Sequence, residues 1–231
     1  MPKKAENYQR LFKTMAEELK LPLLQVARQA ELAALGDPAT GPYLLQQIEQ
    51  SASQALWLVD SYLLGQEQLE LEPVAVSAAL DDAAQALDGL AKQYNCRLEL
   101  QISGRYQPVM AHRRALQTAL VGLGSSLITA TQAGDQPQSL ILAAHRGHNG
   151  GVVAGIFSTN EGLSQDIYAR GRALYGRAHQ PLHQLTAQAG AGIFIADALF
   201  SSMAAQLRVA RHHNLTGLAA TLPTSHQLAL I

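Results

Sequence analysis

Cysteine is almost absent: Cys96 is the only one in 231 residues. A lone thiol cannot close an internal disulfide, and Cys96, set in Tyr-Asn-Cys-Arg-Leu, has no partner at metal-ligand spacing. It reads as a structural thiol. Charge is sparse too, with 15% charged residues and a formal net charge of -1. That balance lacks the basic excess that nucleic-acid binding requires, so no nucleic acid is expected as a partner. Long apolar runs are missing: Gln, Ser, Asp or Gly interrupts each one before the ~20 residues needed to cross a bilayer. No membrane insertion is expected. The polar start Met1-Pro-Lys-Lys-Ala-Glu leads into a helical pattern and lacks the apolar core of a signal peptide, which predicts a cytoplasmic location. No Walker loop, Ser/His/Asp array or Cys/His metal spacing is visible, and no metal is expected. His145 with His148, His179 with His183, and His212 with His213 read as surface or turn residues. His112 reads as exposed at a helix start.

What is present is apolar substance: 48% of the residues are hydrophobic, as in ordinary globular proteins, and the length allows one large or two modest domains. From Tyr8 to about Ala34 apolar residues recur at helical spacing, with Phe12, Met15, Leu19, Val26 and Ala30 on one stripe. Breakers follow in Gly36-Asp-Pro-Ala-Thr-Gly-Pro42, and then Leu45, Ile48, Ala52, Ala55, Val59 and Tyr62 form a coiled-coil-like seam. Such a hairpin cannot enclose its own apolar stripe, so a homodimeric four-helix bundle is expected, the alternative being that the hairpin packs on its own C-terminal domain. The expected organisation is a dimerisation hairpin over residues 1–66, a linker over 67–73 and a second domain over 74–231. That domain is expected to hold helices at Val76 to Gln93 and Arg113 to Thr131, with strands at Arg97 to Ile102, Ser139 to His145 and Gly151 to Phe157. Residues 159 to 187 look like a lid or binding loop. A helix from about Gly192 to Ala205 and a hairpin turning at Asn214-Leu-Thr-Gly217 close the pattern. The fold class is α+β, helices on one face of a mixed sheet.

Four segments carry a family resemblance. Met15-Ala-Glu-Glu-Leu-Lys-Leu-Pro-Leu23 resembles the histidine box of sensor histidine kinases, Ser-His-Glu-Leu-Arg-Thr-Pro-Leu, with Glu17 at the phosphoacceptor position. The helix Val109 to Leu127 is similar to the one that carries the asparagine box, with Gly122 and Ser126 at its two polar positions. Ser158-Thr-Asn-Glu-Gly-Leu163 stands in the place of Asp-x-Gly-x-Gly-Ile, keeping Gly162 and an aliphatic residue. Gly190-Ala-Gly-Ile-Phe-Ile-Ala196 resembles the second glycine box, Gly-x-Gly-Leu-Gly-Leu-Ala, and keeps Gly190 and Gly192. Each match is short; the order and spacing hold over nearly the whole chain. The resemblance implies the cytoplasmic core of a histidine kinase, a dimerising hairpin followed by an ATPase-like α/β sandwich of the Bergerat type.

The departures imply lost chemistry. An imidazole is a tunable nucleophile near neutral pH, whereas the carboxylate of Glu17 would attack phosphate against charge repulsion. Residues 1–66 contain no histidine at all. Glu17 reads either as a solvated helix residue or, with Glu18, as a fixed charge resembling a phosphorylated state. In the family the asparagine box gives an oxygen to Mg²⁺ and the first glycine box gives an Asp to adenine; Ser126 is too short and Ser158 is neutral. Two charged hydrogen bonds at ~1.5–3 kcal/mol each correspond to ~10²–10⁴-fold in affinity. Mg·ATP is therefore expected to bind weakly or not at all. Against this, Gly190 and Gly192, read as preceding a helix N-terminus, could cradle phosphate through backbone alone. The implied function is a degenerate, non-catalytic dimeric regulator, with a response regulator or another histidine kinase as partner. An atypical histidine kinase or phospho-aspartate phosphatase that still binds nucleotide is the alternative.

Overall fold

A computed structural model describes residues 2–35, 41–130, 138–147, 150–158, 165–174 and 187–225. The chain divides into two compact units, Met1–Gln66 and Glu67–Ile231.

The first unit is a pair of packed helices, α1 (Pro2–Leu35) and α2 (Gly41–Gln66). Pro42 falls in the first turn of α2, where its missing N–H has no intrahelical partner to lose. Gln29 of α1 donates to Gln47 Oε1 of α2 at 2.8 Å. Along α2 the buried residues are Ser51, Ala55, Leu58, Ser61 and Leu64. Leu45, Leu56 and Leu63 are exposed. The seam expected from sequence is thus split. Ala55 joins a buried face rich in small residues, and bulky leucines are left on an uncovered face.

In the second unit, β1 (Glu72–Val74) pairs antiparallel with β3 (Val109–Ala111). The last part of the expected linker is therefore a strand. The main sheet has the order β2-β4-β5-β7-β6 and is built from β2 (Cys96–Ile102), β4 (Gln138–Arg146), β5 (Val152–Ser158), β6 (Leu207–His212) and β7 (Leu215–Leu222). Only β2 and β4 run parallel; the other pairs are antiparallel. Among the described residues the unit also has the helices α3 (Val76–Gln93), α4 (Arg113–Ala130), α5 (Gln165–Leu174) and α6 (Ala187–Ser202). Leu80 and Leu87 of α3, Leu116, Leu120 and Leu123 of α4, and Leu140, Leu142 and Ile156 of the sheet are wholly buried. The alternate sheet positions Ile141, Ala143, Val153, Phe157 and Ala219 form a second buried cluster. Strand alternation sends the two sets to opposite faces.

Three boundaries differ from the sequence reading. Residues 165–174, placed in a long loop, form α5. The helix expected to start near Gly192 begins at Ala187, so Gly190 and Gly192 lie inside α6 and do not precede it. The last hairpin turns at His213-Asn214, since His212 pairs with Leu215, and His213 takes φ 51°.

Candidate functional site

The helix carrying two of the expected site residues is α4. His112 precedes it, and its Nδ1 accepts the Ala115 backbone N–H at 3.2 Å while its carbonyl accepts Leu116 N–H at 2.9 Å. His112 is therefore a helix cap. The sequence placed it at the helix start but gave no sign of this bond, because imidazole is not among the usual capping groups.

Gly122 and Ser126 lie one turn apart on α4, both buried. They face Gly192 of α6. A Cβ at 192 would stand 2.8 Å from the Gly122 carbonyl oxygen and would overlap Ser126 Oγ. Only the absence of a side chain at 192 lets α6 approach the Gly122 backbone this closely. Ser126 is 2% exposed and its hydroxyl has no hydrogen-bond partner. A second small residue tightens the other side of α4: a Cβ at Gly124 would overlap Leu87 of α3 and lie 3.3 Å from Ile156 of β5. The helix is thus wedged between two neighbours.

The structure brings together three of the expected residues, Gly122, Ser126 and Gly192. Ser158 ends β5, where it is buried between Leu140 of β4 and Thr216 of β7 in the ladder. Gly190 lies in the first turn of α6. Glu17 falls within α1, and its side chain, like Gly162, lies outside the described residues.

Phe194 was missed as a site residue. It stands at the third glycine place of the second glycine box and is buried at 2% exposure. A phenyl ring replaces what the resemblance implies to be bare backbone. The signal was in the sequence, since the box reads Gly190-Ala-Gly-Ile-Phe-Ile-Ala196. α6 is apolar nearly all round, with Ile193, Phe194, Ile195, Ala196, Leu199 and Phe200 buried. Such a helix belongs inside a core.

The histidine reading also changes. His145 and His212 stack with ring centroids 5.6 Å apart, His213 meets His212 edge-on at 4.5 Å, and His212 Nε2 lies 3.1 Å from Gln101 Oε1. His212 is buried and packs 5.1 Å from Phe157. Burial and then the His213 charge hold both His145 and His212 below the ordinary histidine range, with His145 also acting on His212. Among the described residues no group of three or more His, Cys, Asp or Glu is arranged to hold a metal.

No family model and no curated protein matches the sequence. Solved structures do. The Acinetobacter baumannii histidine kinase AdeS is 16% identical with TM-score 0.60, over 90% of this chain and 98% of that one. Full-length ShkA in complex with AMPPNP is 18% identical with TM-score 0.57, over 94% of this chain and 46% of that one. The histidine kinase ThkA in complex with the response regulator TrrA is 11% identical with TM-score 0.58, over 91% of this chain and 60% of that one. These likenesses show the fold: a helical segment followed by the α/β sheet domain of histidine kinases, a histidine kinase-like core.

Proposed function

We propose that the chain is a degenerate histidine kinase-like protein, a non-catalytic homodimeric regulator in two-component signalling that acts through protein contacts. The observation that carries this reading is the direct seating of Gly192 against Gly122 and Ser126. In the resemblance, those positions belong to a nucleotide pocket: one set supplies a metal-binding oxygen and the other supplies backbone for phosphate. In this chain the two helices meet there, and Phe194 adds a buried ring nearby in sequence. A phosphate cradle needs free N–H groups at a helix start. Gly192 is at the sixth position of α6, past the four N–H groups that a helix leaves unpaired. The backbone argument for residual anion binding therefore weakens, leaving Mg·ATP held weakly or not at all.

The hairpin supports the other half of the reading. It presents Leu45, Leu56 and Leu63 outward, and two helices of this kind bury such a face most economically against a second copy. A response regulator or another histidine kinase is the proposed further partner, chosen because ThkA, a protein of the same fold, forms a complex with TrrA. Glu17, with no histidine in residues 1–66, leaves the hairpin without an imidazole nucleophile.

Incubation of the whole chain with γ-labelled ATP and Mg²⁺ tests the catalytic half. No labelled protein is expected at any time point. Acid-labile label on the chain would overturn the reading and favour the atypical kinase.

A further inference from the structure

α5 is ten residues long, a length at which an isolated helix is marginal in water. Its helical state therefore depends on what it docks against. Gln165, Tyr168 and Arg172 follow one another at helical spacing along one face, and each has a contact on the body of the domain. Gln165 Oε1 accepts the Val209 backbone N–H at 3.0 Å, tying the start of α5 to β6. β6 is an end strand of the sheet, so this bond covers a donor that would otherwise face outward. Tyr168 is among the largest wholly buried side chains. Arg172 Nε lies 2.7 Å from Asp197 Oδ2 of α6.

Asp197 is the unusual member. It is 6% exposed and sits within a helix among the buried apolar residues Ile193, Ala196, Leu199 and Phe200. A carboxylate in such a place must be paired. Burial pushes Asp197 up and Arg172 opposes it, while burial and the Asp197 charge push Tyr168 well above the usual tyrosine range. Arg172 is the largest compensation of the Asp197 charge, and the Tyr168 hydroxyl beside it is a smaller one. Asp197 and Gly192 are five positions apart, about 140° around the helix. The Arg172 contact therefore lies on a different flank of α6 from the α4 seam.

We propose that Arg172 and Asp197, with Tyr168 seated beside them, form a latch that holds α5 as a strap on α6 and the β6 edge, and that α5 is released as a unit when the pair is broken. The cause is the burial of the carboxylate: Asp197 is buried and its partner Arg172 reaches it from the exposed side, so Asp197 depends on that one cation. Removing one partner strands a charge, whereas removing both need not destabilise. Release takes away the only ion pair on α5 among the described residues, and a ten-residue helix does not persist alone. Loss of the latch then uncovers the β6 edge at Val209. The latch lies apart from the α4 seam and does not depend on how the nucleotide side is read.

Hydrogen–deuterium exchange of the full chain tests it, comparing the natural protein with Arg172→Met and with Arg172→Met/Asp197→Leu. The single variant is expected to speed exchange over residues 165–174 and at Val209 by more than about 10-fold, with α3 and β2 unchanged. The double variant is expected to return α5 to natural protection, because an apolar pair replaces the ionic one. Unchanged α5 exchange in Arg172→Met, equal loosening throughout the second unit, or a double variant as open as the single one would each overturn the latch. Repeating the natural protein with Mg·ATP separates the two proposals. A response of α5 to Mg·ATP, with both variants behaving as expected, upholds the latch and sinks the proposal that Mg·ATP binds weakly or not at all.

Discussion

The difference between a serine and an asparagine at position 126 is one of reach, and the α4–α6 seam turns that difference into shape. Ser126 leaves Gly192 room to approach; a longer side chain at 126 would press on α6, just as any side chain at 192 would press on Ser126 and the Gly122 carbonyl of α4. Ser126→Asn alone is thus no simple restoration of a metal ligand. The sequence made the loss of polar reach readable, because Gly122 and Ser126 stand at recognisable positions. It could not make the helix contact readable, since a Gly-x-Gly is equally a turn before a helix or a close-packing device within one. The histidines were harder still. His145 and His212 are far apart in sequence and lie on strands with β5 and β7 between them, so no strand pairing signals that their rings meet. Their lowered pKa values have a thermodynamic consequence. Unfolding raises each toward the ordinary value of 6.5, so below that pH the unfolded chain binds more protons than the native one. This contribution to stability is complete above the unfolded pKa and is lost as pH falls through 6.5 toward the lower folded values. His145→Phe keeps a ring in the stack and removes both a titrating group and an unpartnered buried nitrogen. Thermal melts followed by circular dichroism should show a Tm gain over the natural protein that is larger at pH 5.5 than at pH 8. An equal gain at both pH values would mean that His145 does not titrate in this way.

Among the elements, those with a long periodic signal matched best: α3 spans Val76–Gln93 as its spacing predicts, and β2, β4 and β5 lie within one residue of their expected limits at each end. β1 and β3 were invisible because three residues carry no period, and they exist through pairing with each other. α5 was hidden for a related reason. Its sequence Gln165-Asp-Ile-Tyr-Ala-Arg-Gly-Arg is polar, and its order comes from docking through three side chains. In the hairpin the period was legible and the facing was not. Small residues at 51, 55 and 61 are buried, so the bulky stripe of Leu45, Leu56 and Leu63 is the one left uncovered. That stripe is where a second copy is expected to seat. Light scattering should give twice 24.7 kDa for the natural chain. Leu56→Glu/Leu63→Glu should give a monomer that keeps its helical circular dichroism, since neither side chain is buried in one copy. A natural chain that stays monomeric at micromolar concentration would refute the dimer, and a double variant that remains dimeric would move the interface elsewhere.

At the scale of the whole molecule, likeness at 11–18% identity shows how little of the sequence the fold requires. What it does require is present: leucines at 80, 87, 116, 120 and 123 over a sheet with Leu140, Leu142 and Ile156 beneath, and small residues where helices cross. Among the described residues no helix is long and apolar enough to cross a membrane. In the degenerate kinase proposed above, the groups that shape the sandwich are kept and those that would hold metal and adenine are replaced by Ser126 and Ser158, with α6 closed on α4 and Phe194 buried. The most direct measurement is calorimetric titration of the natural chain with ATP in the presence and absence of Mg²⁺. No saturable heat is expected at micromolar nucleotide, with the same result whether or not the metal is present, in line with a loss of ~10²–10⁴-fold. Saturable, Mg²⁺-dependent binding with a low-micromolar Kd would contradict the loss of the nucleotide site.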